Sequence, residues 1–245
     1  MRPAAFFRLS RSAWALAVLA GLGACSSGGE PDTVGRAASI AAGAAAELLG
    51  LGPEPAPRQA LTRAQINAFP AALIGVQRVG DDRTYFGAYS VNNGRVVYYN
   101  PGGQSLTLHG AALASTHALG VDLAGYRSDP AEDPLVRPRP PQAWPEVLTR
   151  VYRFHDAFGD VYSRSFLCRP QVAGPERAEI AELTFDLVRI EELCRSTSDA
   201  FVNRYWVDGA TGFVWRSEQW GGPEVGSLTI EVLRPFAERS EAAGE

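Results

Sequence analysis

The sequence predicts a mainly β protein: an antiparallel meander that curls into a half-barrel or sandwich, with one or two short helices on its N-terminal side. Three observations predict it. From Ala72 onward apolar residues recur at every second position, the period of a pleated strand. These stretches are separated by Asn92-Asn93-Gly94, His109-Gly110 and Asp208-Gly209-Ala210-Thr211-Gly212, the kind of turn that joins antiparallel neighbours. Helical signals concentrate in the chain before Pro70; over Glu182–Cys194 a helix is the alternative, which Thr184, Phe185 and Val188 tilt toward strand.

The elements follow in order. Asp32 to Leu51 is rich in Ala, carries Ile40, Leu48 and Leu49, and reads as a helix interrupted by Gly43 and stopped near Gly50-Leu51-Gly52-Pro53. Pro53 to Pro57 is a linker. Thr62 followed by Gln65 forms a capping box, so a short helix runs from Arg63 to Ala68 and stops before Pro70. Strands are expected over Leu73–Val79, Arg83–Val91, Arg95–Asn100, Ser105–Leu108 and Ala112–Thr116. Tyr126 to Pro145 holds five prolines between Pro130 and Pro141 and is expected to be an extended surface loop. Strands resume at Val147–Phe154, Val161–Cys168 and Glu182–Cys194. The chain closes with Phe201–Asp208, Phe213–Trp220 and Leu228–Leu233. Gly212 is placed to take the left-handed position of a bulged turn. About eight to ten strands are expected on this pattern.

The first residues carry a different signal. Arg2, Arg8 and Arg11 precede an apolar stretch from Ala13 to Leu22, and small residues follow. That is a secretory signal; the run is shorter than the ~20 residues a bilayer span needs. Leu22-Gly23-Ala24-Cys25 resembles the lipobox of bacterial lipoproteins. The resemblance implies diacylglycerol on Cys25, cleavage before it, and acylation of the new amine. Several acyl chains, at ~0.8 kcal/mol per buried methylene, would hold the protein on a membrane almost permanently. By the enterobacterial pattern, Ser26 after the cysteine implies the outer membrane. The expected organisation is a signal peptide over residues 1–24, then a tether, Ala-rich helix and linker over 25–60. A single β domain follows over 61–238, with a disordered tail over 239–245.

Composition excludes several functions. The 23 basic residues are all Arg; removing Arg2, Arg8 and Arg11 leaves 20 against 27 acidic residues, a balance of −7. With no basic cluster, nucleic acid is not an expected partner. The absence of Lys rules out a Schiff-base or phosphate-loop lysine. Besides Cys25, two cysteines remain. In an oxidising compartment Cys168 and Cys194 form an even pair, and a bridge closing about 25 residues is worth roughly 3 kcal/mol; two free buried thiols are the alternative.

Chemistry-bearing motifs are sparse. His109, His117 and His155 sit near turns or strand ends, with no nucleophile or acid at triad spacing. There is no Gly-x-Ser-x-Gly elbow and no His-Glu-x-x-His pair, so no catalytic residue, metal or cofactor is assigned. Asp81, Asp82, Asp156 and Asp160 are the carboxylates that could pair for glycosidic chemistry; sequence does not tell whether any two lie at the required separation, and Asp81-Asp82, between strands, reads as a turn. Trp206, Trp215 and Trp220 crowd the last hairpin with Tyr205 and Phe213. By alternation Tyr205 and Val207 share one face, Trp206 and Asp208 the other. Most of these rings are expected in the core, with Trp206 and Trp220 as candidate ligand-facing aromatics.

At this hairpin the chain resembles a known family. Arg204-Tyr205-Trp206-Val207-Asp208, then Thr211-Gly212-Phe213-Val214-Trp215-Arg216-Ser217 and Gln219-Trp220, is similar to the C-terminal signature of the YjbF/GfcB capsule lipoproteins. Leu61-Thr62-Arg63-Ala64-Gln65-Ile66 with Pro70 is similar to that family's early helix. Leu106-Thr107-Leu108 and Gly120-Val121-Asp122-Leu123 are similar to its middle segment. The resemblance implies a lipid-anchored protein on the periplasmic face of the bacterial outer membrane. It implies a non-catalytic scaffold or accessory subunit in making or exporting an exopolysaccharide or capsule. Its expected partners are the bilayer, through acylated Cys25, an outer-membrane β-barrel, and periplasmic proteins of the export system. The hairpin also looks like the half-barrels of LolA/LolB-type lipoprotein carriers. The inner face of the sheet separates the two readings: a carrier needs an open aliphatic groove, whereas a scaffold fills it, with the Ala-rich Ile40–Leu49 segment as one candidate filling. A polysaccharide-modifying enzyme, the third reading, needs two carboxylates meeting in a cleft.

Overall fold

The structure, a computed structural model, describes residues 60–155 and 159–236. The expected signal segment, Cys25, the Ala-rich helix, Asp156 and the tail over 239–245 lie outside the described residues. One short helix, α1 (Arg63–Ala68), precedes twelve strands: β1 (Leu73–Arg78), β2 (Thr84–Asn92), β3 (Arg95–Tyr99), β4 (Ser105–His109), β5 (Ala112–His117), β6 (Leu123–Arg127), β7 (Leu148–His155), β8 (Val161–Ile180), β9 (Leu183–Arg195), β10 (Ala200–Val207), β11 (Val214–Trp220) and β12 (Ser227–Arg234). They form one antiparallel sheet in the order β5-β4-β3-β2-β1-β12-β11-β10-β9-β8-β7-β6.

Except for β5 and β6, each strand pairs with its neighbours in sequence, and β1 pairs with β12 to join the two ends of the domain. The sheet therefore curls into a nearly closed barrel. Its seam lies mid-chain, between β5 and β6, where the loop is tied by side chains. Asp122 accepts hydrogen bonds from the N–H groups of Ala118 (2.7 Å) and Leu119 (3.1 Å) and from the Thr116 hydroxyl (2.9 Å), while the Leu123 N–H donates to that hydroxyl at 2.9 Å. Near the seam Gln219 reaches over from β11, accepting from the Leu113 N–H and donating to the Ala111 carbonyl, both at 2.8 Å. A sheet edge left unpaired invites association, and these contacts blunt it.

α1 forms where the capping box places it. The Gln65 N–H donates to the Thr62 hydroxyl at 3.3 Å and the Thr62 N–H to the Gln65 carbonyl oxygen at 2.9 Å, a cap worth about 1 kcal/mol. Ile66 is its one buried residue, packed on Leu73, Ile180 and Leu233. Those contacts lie on the outside of the barrel.

The outer layer comes from β8 and β9, which run past their neighbours as a long hairpin. A register shift between Val172 and Gly174, the latter at φ 136°, bends β8. The distal half then covers the outer face of β10 to β12. Ala178 and Leu187 pack on Trp206, and Phe185 lies against Trp215 with ring centroids 4.4 Å apart. Odd positions of β9 such as Phe185 and Leu187 face this outer layer, while Ile190, Glu192 and Cys194 face the barrel interior. The sequence reading missed the distal half of β8 for this reason: it is apolar only where the hairpin folds back.

Two further expectations differ. β6 lies within and just before the stretch read as irregular. The Pro-rich segment is also not a surface loop: Asp133, Pro134, Leu135 and Pro141 are buried. It crosses the barrel mouth as a strap.

Candidate functional site

The barrel interior is filled in layers. At the end away from the strap, Tyr152, Phe154, Phe166, Phe201 and Trp220 form an aromatic cluster, with Phe201 stacked on Trp220 at 4.3 Å. Cys168 and Cys194 face each other across β8 and β9 in the same interior and are joined by a disulfide.

A polar layer comes next. Leu148, Arg150, Tyr152 and Phe154 share one face of β7, so alternation delivers Arg150 into the core, where it is fully buried. Its Nε and Nη2 donate to Glu192 Oε1 at 2.9 and 2.7 Å, and its Nη1 donates to Asp133 Oδ2 at 2.6 Å. Glu192 Oε2 accepts from Asn203 Nδ2 and the Tyr205 hydroxyl, each at 3.0 Å. The Tyr126 hydroxyl donates to Asp133 and accepts from Arg150, and the Leu135 N–H donates to Asp133 Oδ1 at 3.0 Å. Burial alone would raise the pKa of Asp133, but Arg150 and hydrogen bonds from Ser128, Tyr126 and Leu135 together hold it below its ordinary value. Burial drives Tyr126 and Tyr205 well above theirs.

Asp133 belongs to the strap, so this network anchors it. Two turns anchor it further on. The Ala111 N–H donates to the Leu135 carbonyl at 2.7 Å, and Trp144 Nε1 donates to the Arg139 carbonyl at 3.1 Å while its ring packs on Tyr205. Gly110 and Gly212, both at positive φ, back directly onto the carbonyls of Leu135 and Arg139. Glycine is required at both for the φ and for the close approach.

Between the strap and the walls lies a cavity of about 340 Å³. Val96, Tyr98, Leu108, Val214, Ile230 and Val232 line its walls, with Pro134, Leu135 and Pro138 from the strap.

The sequence-selected residues fall into place as follows. Trp206 is not ligand-facing: it is buried under the β8–β9 hairpin, its Nε1 donates to Glu176 at 2.8 Å, and the Arg216 guanidinium sits over its ring. Trp220 packs into the interior aromatic cluster rather than a free surface. Asp81 pairs with Arg78 on the surface at 2.7 Å. The carboxylates the fold does bring together, Asp133 and Glu192, were not singled out. An Arg on the apolar parity of β7 was the available signal for them.

As for metals, Cys168, Glu192 and Cys194 lie close together. Both sulfurs are in the disulfide and both oxygens of Glu192 already accept from protein donors, so this trio offers no free ligand set.

The structure is similar to the crystal structure of the hypothetical lipoprotein YmcC from Escherichia coli (K12), with a TM-score of 0.62 and 19% identity, over 87% of this chain and all of that one. At that identity the likeness speaks for the fold. Among curated proteins none matches. The family model described as group 4 capsule polysaccharide lipoprotein GfcB, YjbF, matches residues 38–233, which take in every strand described above except the last residue of β12. A match over most of the chain places this protein in the YjbF family of capsule-associated lipoproteins.

Proposed function

We propose that the protein is a non-catalytic accessory subunit of capsule or exopolysaccharide production, working as a periplasmic scaffold on the outer membrane. In this reading residues 1–24 are removed, acylated Cys25 anchors the chain, residues 25–60 act as a tether, and the barrel meets an outer-membrane β-barrel and periplasmic proteins of the export system. The observation that carries it is the family match over residues 38–233.

The interior supports a scaffold over an enzyme or a bulk lipid carrier. Asp133 and Glu192, the paired carboxylates, are buried, and each of their oxygens already accepts from Arg150 or a neutral protein donor, so neither presents a free oxygen to a substrate. Aromatic rings and the ion network fill much of the lumen that a lipoprotein carrier would keep open.

Affinity capture of the full-length protein from membranes tests the reading. An outer-membrane barrel protein is expected to accompany it, gene deletion is expected to lower surface polysaccharide, and mass spectrometry is expected to find Cys25 as an acylated N-terminus. Normal polysaccharide with mislocalised lipoproteins would favour the carrier instead.

A further inference from the structure

The strap crosses the cavity at the mouth, and among the described residues no side chain fills it. Among the described residues, polar side chains reach its lining only from Tyr98, His109 and Ser217. The Ser217 hydroxyl oxygen already accepts from Gln219 Nε2 at 2.9 Å, which leaves its O–H one hydrogen bond to donate. Burial and the neighbouring Arg95 lower the pKa of His109, and burial pushes that of Tyr98 up to about 12, so both rings are uncharged near neutrality. The strap presents Pro134 and Pro138, which have no N–H to offer. A sugar ring of fitting size would leave most of its hydroxyls unpaired here, and unpaired polar groups forfeit affinity.

Size narrows the ligand further. An apolar cavity of about 150 Å³ takes a benzene-sized molecule, so this one holds roughly a dozen carbons. We infer that the cavity between the strap and strands β3, β4, β11 and β12 binds one alkyl chain of a membrane amphiphile, either a free fatty acid or a phospholipid acyl tail. The volume accepts a single chain and not the several chains of a lipoprotein anchor. The proposal goes beyond the accessory role above and stands apart from it, because it concerns what the barrel holds and not which proteins it meets.

Cells making the full-length protein are given palmitic acid bearing a diazirine and an alkyne, then irradiated, and adducts on the captured protein are mapped by peptide mass spectrometry. Adducts are expected on the strands carrying Val96, Leu108 and Val232, and they are expected to disappear in Val232→Phe, which fills the cavity. Adduct mass separates the free acid from the phospholipid. Val232→Leu, a smaller filler, serves if Val232→Phe does not accumulate with its Cys168–Cys194 bridge formed. No adduct, adducts only outside these strands, or cavity adducts that persist in a folded filler variant would overturn the inference. Polysaccharide level is read separately, so either proposal can fail alone.

Discussion

Arg150 on β7 and Glu192 on β9 pair across the width of β8, at 2.7 Å from Nη2 to Oε1, with neither side chain reaching water. The strap joins them through Asp133. A buried ion network is weak evidence of net stability, because desolvation offsets most of the attraction. Its effect is specificity: it accepts one position of the strap, the one that brings Asp133 to Arg150.

Removing a single member leaves the others charged and unpaired. Arg150→Met is expected to cost about 3–5 kcal/mol in denaturant unfolding. Adding Asp133→Asn and Glu192→Gln to it is expected to restore much of the loss, since the stranded charges go. A single variant as stable as the parent would show that the network is not closed.

The strand pattern was legible because half-buried strands alternate and their turns use Asn, Asp and Gly. The β10–β11 hairpin emerged with its faces correctly sorted: Tyr205 and Val207 inside, Trp206 outside. What alternation could not convey was that the outside is also covered. Trp206 looked free because nothing local announces that β8 will bend at Gly174 and return over it. The strap was misread for a related reason. Proline marks an irregular path, and that path lies on the surface unless distant partners bury it, here Arg150, Gly110 and Gly212. The polar layer rests on four strands and the strap, a convergence of residues from 126 to 205 that no local window contains.

Acid is expected to loosen the network. The folded pKa of Asp133 lies below its ordinary 3.8, so its contribution is complete above that value and is lost as pH falls toward the folded pKa. On the alkaline side Tyr98 is raised from 10 to about 12, so its contribution holds below 10 and is lost between the two values. Urea midpoints measured across pH should therefore fall at both extremes. Asp133→Asn is expected to flatten the acid limb selectively; an unchanged acid limb would assign it to other carboxylates.

The disulfide makes a symmetric prediction. Cys168 and Cys194 are both fully buried and directly opposed. Cys168→Ser and Cys194→Ser are each expected to cost about 3 kcal/mol, and the double variant no more than either alone. Additive losses in thermal unfolding would mean that the two sulfurs contribute independently as packing.

The strap's other anchors are the backs of two glycines. A Cβ at Gly110 or Gly212 would fall well inside van der Waals contact with the backbone carbonyl of Leu135 or Arg139, and both residues have positive φ. Gly110→Ala and Gly212→Ala are each expected to cost about 1–3 kcal/mol in backbone strain and to push the strap off its seat. Gly103 separates the two effects: its φ is +82° but nothing lies within 4 Å of its added Cβ. Gly103→Ala should therefore show strain alone. Limited thermolysin digestion reads the difference, because the Leu135–Val136 bond on the strap, with Leu135 buried, becomes accessible once the strap lifts. Faster cleavage there in Gly110→Ala and Gly212→Ala, with Gly103→Ala like the parent, is the expected pattern. Equal cleavage in all three would mean that the strap is held by the Asp133 network alone, and that the glycines serve only their own turns.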